Sequence, residues 1–361
     1  MRKPTAALYN PFLDTLGGGE KHILSVLKVL EEFGYQITIF WNDNLEKQIK
    51  DKFSLSFQAP LRFAPNLFHR PSQLKRLITL RQFDMLFYVT DGSYFFSTAK
   101  QNYIFCMVPQ QNLYQRTIIN RLKMANFNFI SNSRFTQSWL QHWHIPSQVI
   151  YPYLASEFID LDLGRVKKDN IILSVGRFFN QLHAKQHAKI IDAFNKLKLR
   201  DTSYKKFTLI LAGGFKNEDI QYVKELSQLT QGRSDVRLVL NPDFPTLFDW
   251  YKRARYYWHF TGYGVDVNTT PQAAEHLGIT PLEAMAAGCI TFCHDAGGPR
   301  EIVESGKNGF LFSQVDQLIE QMQTITDPQL IQQQAKARVT SRFCYPVFKN
   351  RVKEVLSLSQ K

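Results

Sequence analysis

Two carboxylates eight positions apart, Glu275 and Glu283, bracket the densest chemical signal in the chain, Glu275-His276-Leu277-Gly278-Ile279-Thr280-Pro281-Leu282-Glu283-Ala284-Met285-Ala286-Ala287-Gly288. Thr280 reads as an N-cap, Pro281 suits the first helical position and Glu283 falls three residues after the cap, so the spacing predicts a capping box and a helix beginning there. A helix start beyond a strand end offers unpaired N–H groups and the positive end of the peptide dipole to a phosphate. Glu283 then has two candidate tasks: bonding back to the Thr280 backbone, or accepting hydrogen bonds from ribose hydroxyls. Glu275 precedes the helix and is free of the first. Gly278 permits close backbone approach beside Ile279, Thr280 and Leu282, and the small alanines behind let the helix pack tightly beneath a ligand.

Three other loops have related chemistry. Gly17-Gly18-Gly19-Glu20-Lys21 lies between a first strand and a first helix. It is not a dinucleotide fingerprint, because the third glycine of that pattern falls at His22, and no Lys-Ser or Lys-Thr pair makes it a P-loop. A plain tight turn also fits it. Gly176-Arg177-Phe178 follows the β-rich run IILSV, with Lys185 eight residues beyond Arg177. Two cations near a helix start suit a diphosphate, whose growing charge they neutralise; taken alone, ordinary surface basicity explains them as well. Asp295-Ala296-Gly297-Gly298-Pro299-Arg300 again joins glycines to a helix start.

Metal chemistry finds little support. His183 and His187 are four apart, as are Cys289 and Cys293, but neither pair has a complete ligand set. No metal or other cofactor is expected. Four cysteines without paired spacing suit a reducing compartment.

The elements that position these loops alternate. TAALYNPF, QITIFW, MLFYV, NYIFCMV, NFNFIS and QVIYPY read as strands separated by helical patterns, and IILSV, FTLILAG, VRLVL, YYWHF, CITFC and GFLF repeat the grammar. This is α/β with two Rossmann-like βαβ domains, and two such sheets facing each other make a cleft. The expected boundaries are an N-terminal domain over residues 1–153, a polar linker over 154–170, a second domain over 171–342 and a terminal helix over 343–361. Val347, Val352, Val355 and Leu356 form that helix's apolar side.

The formal charge of +13 draws such a chain toward phosphates, whether of nucleotides, nucleic acids or anionic lipids. From Arg62 to Arg134 there are ten bases against Asp84 and Asp91 alone. A solvated face fits this run; so does a surface for an anionic membrane or acceptor around Lys75, Arg76, Arg116, Arg121 and Lys123, where Ile118, Ile119 and Leu122 gather on one helical side. No apolar run nears the roughly 18 residues of a spanning helix and no signal-like segment opens the chain, so a cytoplasmic protein is expected, peripheral at the inner face of a membrane if that surface is used.

With these residues in place the chain resembles glycosyltransferase family 4 of the GT-B fold. EHLGITPLEAMAAG looks like that family's pair of glutamates, and SVGRFF with Lys185, LILAGG, GGPREIV and NGFLF follow in its order. The resemblance implies metal-independent transfer with retention from a UDP- or GDP-sugar to a glycan or glycolipid. It assigns Arg177 and Lys185 to the donor diphosphate, Glu283 to the ribose and Glu275 to the donor sugar. Gly18, Gly19 and Gly176 would let backbone approach the ligand. A histidine that such enzymes often carry in a His-x-Pro segment is replaced by Met107-Val108-Pro109-Gln110, which removes one acceptor-side role. Gly262-Tyr263-Gly264 and Asp266 lengthen the link before Glu275. An epimerase or phosphorylase on the same fold is the alternative. A nucleic-acid-binding protein would leave the glutamate pair unexplained, and no nucleic-acid partner is expected.

Overall fold

Runs rich in Val, Ile, Phe and Tyr fit a pleated, buried surface. They form the strands of the computed structural model, which describes residues 2–68, 72–180 and 184–358. One sheet holds β1 (Thr5–Tyr9), β2 (Gln36–Phe40), β3 (Arg62–Ala64), β4 (Met85–Val89), β5 (Gln101–Cys106), β6 (Phe127–Ser131) and β7 (Ser147–Val149) in the order β3-β2-β1-β4-β5-β6-β7. A second holds β8 (Asp169–Val175), β9 (Thr208–Gly213), β10 (Val236–Leu240), β11 (Ala254–His259), β12 (Ile290–His294) and β13 (Phe310–Phe312) in the order β10-β9-β8-β11-β12-β13.

Every pairing in both sheets is parallel. Parallel neighbours require crossovers, which the intervening helices supply. β3 is not announced by the sequence, because Arg62-Phe63-Ala64 is too short to show a period. Strand order reverses between β1 and β4 in one sheet and between β8 and β11 in the other, and ligands of such sheets sit beyond the carboxyl ends of the strands at those points.

The chain divides into two units, Met1–Tyr153 with Pro346–Lys361, and Leu154–Tyr345. In the first, Ala7, Phe40, Leu86, Tyr88 and Ile104 form the core; in the second, Ile172, Phe194, Leu209, Trp258 and Phe292 do so. Residues 154–170 differ from the polar linker that their composition suggests. Phe158 is buried edge-on against Phe248 and Tyr251, and Lys168 Nζ donates to the Ala287 carbonyl at 2.7 Å, so the stretch is packed into the second unit.

The Tyr345–Val355 helix belongs almost wholly to the first unit. Phe348, Val352 and Val355, spaced four and three apart, are its buried stripe, whereas Val347 faces solvent. Phe348 lies 5.0 Å from the Tyr153 ring and 6.0 Å from His22.

Candidate active site

β8 and β11 end where the second sheet reverses, and the residues just beyond them converge. His259 closes β11 and is 1 % exposed; its Nε2 lies 2.9 Å from Glu275 Oε2. Lys185 Nζ donates to the same oxygen at 2.7 Å, and the two side chains of this ion pair are 13 % and 17 % exposed. Burial by itself would raise the Glu275 carboxyl, but the Lys185 charge and the His259 hydrogen bond overcome it and hold the group well below the usual carboxylate range. Burial, reinforced by Lys185, lowers His259 despite Glu275. A neutral imidazole therefore donates its Nε2–H to an ionised Glu275.

Glycines make this cluster sterically feasible. A Cβ on Gly176 would fall 2.4 Å from Lys185 Cγ, so Lys185 runs across a surface that only glycine leaves open. A Cβ on Gly213, the last residue of β9, would fall 1.9 Å from the Gly176 carbonyl. The Gly298 N–H donates to the Glu275 carbonyl at 2.8 Å, and a Cβ on Gly297, whose φ is +67°, would lie 2.3 Å from that oxygen. The Asp295–Pro299 loop thus clamps the backbone that carries Glu275.

The helix beyond Glu275 begins earlier than its sequence suggests. It spans Ile279–Ala286, with Gly278 as N-cap at φ +103° and no side-chain cap. The capping box of Thr280 and Glu283 does not form, because both side chains bond to β11 and the helix before it. Glu283 Oε2 accepts from the Tyr251 hydroxyl at 2.8 Å, and Thr280 bonds to the Tyr257 hydroxyl. Leu282 N–H already reaches the Gly278 carbonyl. The N–H groups of Ile279 and Thr280 precede any helical acceptor and are oriented for an anion.

Arg177 does not join Lys185. Its guanidinium lies 3.0 Å from Asp219 and 3.1 Å from Glu218, and stacks 5.0 Å from the Phe179 ring centre. Gln186 precedes the His187–Arg200 helix in a left-handed conformation. His187 is buried against Phe178 with Nδ1 3.1 Å from the Tyr222 hydroxyl, and burial pulls its pKa down to about 3. His183 lies outside the described residues. Cys289 and Cys293 are both buried; Cys289 bonds the Tyr251 carbonyl.

In the first unit the helix again starts early, at Gly18, so Gly18 and Gly19 form its first turn and Gly17 its cap. Glu20 latches the preceding loop, accepting from the Gly17 N–H and the Thr15 hydroxyl, both at 2.8 Å. Met107 occupies the space above Gly19: a Cβ there would meet its sulfur at 2.3 Å.

Of the proposed surface cations, Lys75 and Arg121 are exposed and Lys123 is partly so. Arg116 is also exposed but donates to the carbonyls of Trp143 and His144. Arg76 is a correction. Its guanidinium turns inward over Phe68 and Phe95, because the aromatic floor there offers a cation a face that solvent-side positions lack.

Sequence reasoning missed His259, Tyr251 and Asp219. The available signal was positional: His259 ends an aromatic strand at the reversal point, which is where side chains face a ligand.

A parallel α/β unit with a helix start open to phosphate, beside a cation and an anchored carboxylate, has the parts of a site for a phosphorylated ligand. Residues 156–340, just over half of the chain, match the family model of glycosyl transferases group 1. The chain belongs to that family.

Among curated relatives, the "GDP-Man:Man(3)GlcNAc(2)-PP-Dol alpha-1,2-mannosyltransferase" of Xenopus tropicalis is 33 % identical over 180 residues, 47 % of this chain and 34 % of that protein. The human "Alpha-1,3/1,6-mannosyltransferase" is 27 % identical over 242 residues, 59 % of this chain and 56 % of that protein. The chain thus spans between about a third and just over half of the length of these relatives. Anabaena HepE, solved in complex with UDP and glucose, shares the fold, with a TM-score of 0.68 and 17 % identity over 99 % of this chain and all of that one.

Proposed function

We propose that the protein transfers a sugar, with retention and without a metal, from a nucleotide-sugar donor to a hydroxyl of a lipid-linked glycan. The observation that carries this is the Lys185–Glu275–His259 cluster beside the Ile279 helix start. Glu275, held ionised by its two donors, accepts hydrogen bonds from the hydroxyls of the donor sugar and so fixes its ring. Glu283, with Tyr251, accepts from the ribose. Lys185, Arg177 and the N–H groups of Ile279 and Thr280 receive the diphosphate, with Gly176 and Gly278 leaving room for it.

The bond from the anomeric carbon to the diphosphate oxygen breaks, its electron pair leaving with the nucleoside diphosphate. An acceptor hydroxyl attacks on the same face, and its proton passes to the leaving phosphate oxygen. Lys185 and Arg177, exchanging their carboxylate partners for phosphate oxygens, stabilise the charge as it grows, which is the task a metal performs elsewhere.

The relatives favour GDP-mannose as the first donor to try and a lipid diphosphate-linked glycan as acceptor. A membrane-facing surface fits such an acceptor. Leu74 and Ile78 on the Gln73–Leu80 helix are exposed, as are Ile118, Ile119 and Leu122 on the Ile118–Met124 helix, where Ile118 reaches 79 %. Leu77 and Asn126 bond to Thr98 and Ser97, so both helices flank one segment, whose Phe96 is also exposed. Lys75, Arg121 and Lys123 border these apolar groups, an arrangement for anionic headgroups. No helix among the described residues is long and apolar enough to cross a membrane.

The test is a panel of UDP- and GDP-sugars scored by donor hydrolysis and by thermal shift, each with and without chelator. GDP-mannose should raise the melting temperature and be hydrolysed slowly, and Glu275→Gln should suppress turnover while nucleotide affinity stays within about threefold. Hydrolysis that dies with chelator would refute the metal-free reading.

A further inference from the structure

The Gln73–Leu80 helix contributes two cations and apolar groups to the surface region, and Lys75 is exposed like the C-cap Arg81, whereas Arg76 is not. The Arg76 guanidinium carbon lies 5.3 Å from the Phe95 ring centre and 5.9 Å from that of Phe68. Its Nε is buried with no hydrogen-bond partner, and no carboxylate pairs with it among the described residues. Burial lowers its pKa, with the Tyr9 oxygen opposing. A cation taken from water without an anion carries a desolvation cost that two phenyl faces return only in part.

Tyr9 packs against the same two rings, 3.8 Å from Phe68 and 6.3 Å from Phe95 between centroids. This residue ends β1, is 3 % exposed, and stacks on Phe68 at 3.8 Å and on Tyr88 at 5.5 Å. Its hydroxyl has no hydrogen-bond partner among the described residues. Burial, with Asp91 adding and Arg76 opposing, pushes the phenol up to about 12, so it remains a donor at neutral pH. Asp91 itself is occupied: it accepts from the Tyr88 hydroxyl at 2.5 Å and from the Ser93 N–H at 2.9 Å.

An unpaired guanidinium and a free phenolic donor therefore share one aromatic-walled place at the carboxyl ends of β1 and β4, where the first sheet reverses. We propose that Arg76 and the Tyr9 hydroxyl form an anion site that takes a phosphate group of the acceptor. The guanidinium fork matches two phosphate oxygens and the phenol reaches a third. Aromatic walls keep water from screening these bonds. The anion site stands on this geometry; its assignment to the acceptor rests on the transferase reading above.

The experiment separates the two. Pyrophosphate is titrated calorimetrically into Arg177→Ala/Lys185→Ala, where the cations of the second unit are gone. Binding should persist there and vanish when Arg76→Met is added; no binding in the double variant, or equal binding after Arg76→Met, overturns the anion site. Tyr9→Phe keeps the ring stack and should weaken binding by more than about tenfold, the scale of one hydrogen bond to a charged group.

Ligand-free Arg76→Met should melt no lower than wild type, because an uncompensated cation is removed; a fall in melting temperature with unchanged pyrophosphate binding would mark Arg76 as a packing residue and overturn the proposal. In the wild-type background, Arg76→Met should raise KM about tenfold for a diphosphate-linked lipid glycan and leave the donor KM within about twofold. A rise in donor KM instead would assign the anion to the donor and overturn the acceptor part. Failure of the wild type to turn over any sugar nucleotide would sink the transferase reading and leave the pyrophosphate result standing.

Discussion

Lys185→Met tests whether the Glu275 cluster is held by charge. The substitution keeps much of the side chain's volume over Gly176 but removes the ammonium 2.7 Å from Glu275 Oε2, leaving that carboxylate with His259. Breaking a buried ion pair from one side costs about 3–5 kcal/mol, since a desolvated charge is left behind. Here the pair keeps 13 % and 17 % exposure and His259 still donates, so about 2–3 kcal/mol is expected. For a unit the size of Leu154–Tyr345 this lowers the melting temperature by about 4–12 °C.

The pH dependence supplies the sharper test. The folded-state pKa of Glu275 lies below its ordinary 4.5, so its stabilisation is fully present above about pH 4.5 and is lost as pH falls through the depressed value. The gap between wild type and Lys185→Met in scanning calorimetry should be widest near neutrality and narrow as pH falls below about 4.5 toward the depressed value. Adding Glu275→Gln to Lys185→Met should cost less than the two changes separately. A gap that is flat from about pH 3 to 7, or strictly additive variants, would refute the electrostatic account.

Gly297→Ala must place a Cβ 2.3 Å from the Glu275 carbonyl at φ +67°, and should cost more than about 2 kcal/mol and most turnover, whereas Gly306→Ala, with open space at φ +81°, should cost about 1 kcal/mol and leave kinetics alone. Comparable unfolding curves for the two would show that the clamp is unimportant. Tyr251→Phe removes one hydroxyl donor from Glu283 and should weaken nucleotide binding by about 1 kcal/mol, read by calorimetric titration; an unchanged affinity removes Glu283 from the donor site. In liposome co-sedimentation, Lys75→Gln/Arg121→Gln/Lys123→Gln should abolish salt-sensitive binding to anionic vesicles, at roughly 1 kcal/mol per base. Arg76→Gln, being inward, should change it little, and equal loss from that variant would contradict the orientation of the helix.

What the sequence determines is the set of elements and the places where ligands are handled. Short continuous apolar runs and the loops between them specify strands, and glycines beside strand ends specify close approach, because both depend on a few adjacent residues. Which groups meet is decided elsewhere. Glu275 finds Lys185 ninety residues away and His259 sixteen away, contacts that exist only once β8 and β11 are paired at the reversal point. The Thr280–Glu283 capping box is a sound local solution that tertiary partners displace: Tyr251 and Tyr257 supply better-placed hydroxyls, and left-handed Gly278 starts the helix without it. Residues 154–170 look like a linker by composition, yet a single Phe158 with an aromatic slot among Phe248 and Tyr251 suffices to fold them onto a core. Arg76 has the same neighbours in sequence as any surface base of its helix. Only the presence of Phe68 and Phe95 opposite, brought there by separate crossovers, turns it inward, because side-chain direction follows what the fold places across from it rather than the residue's own chemistry.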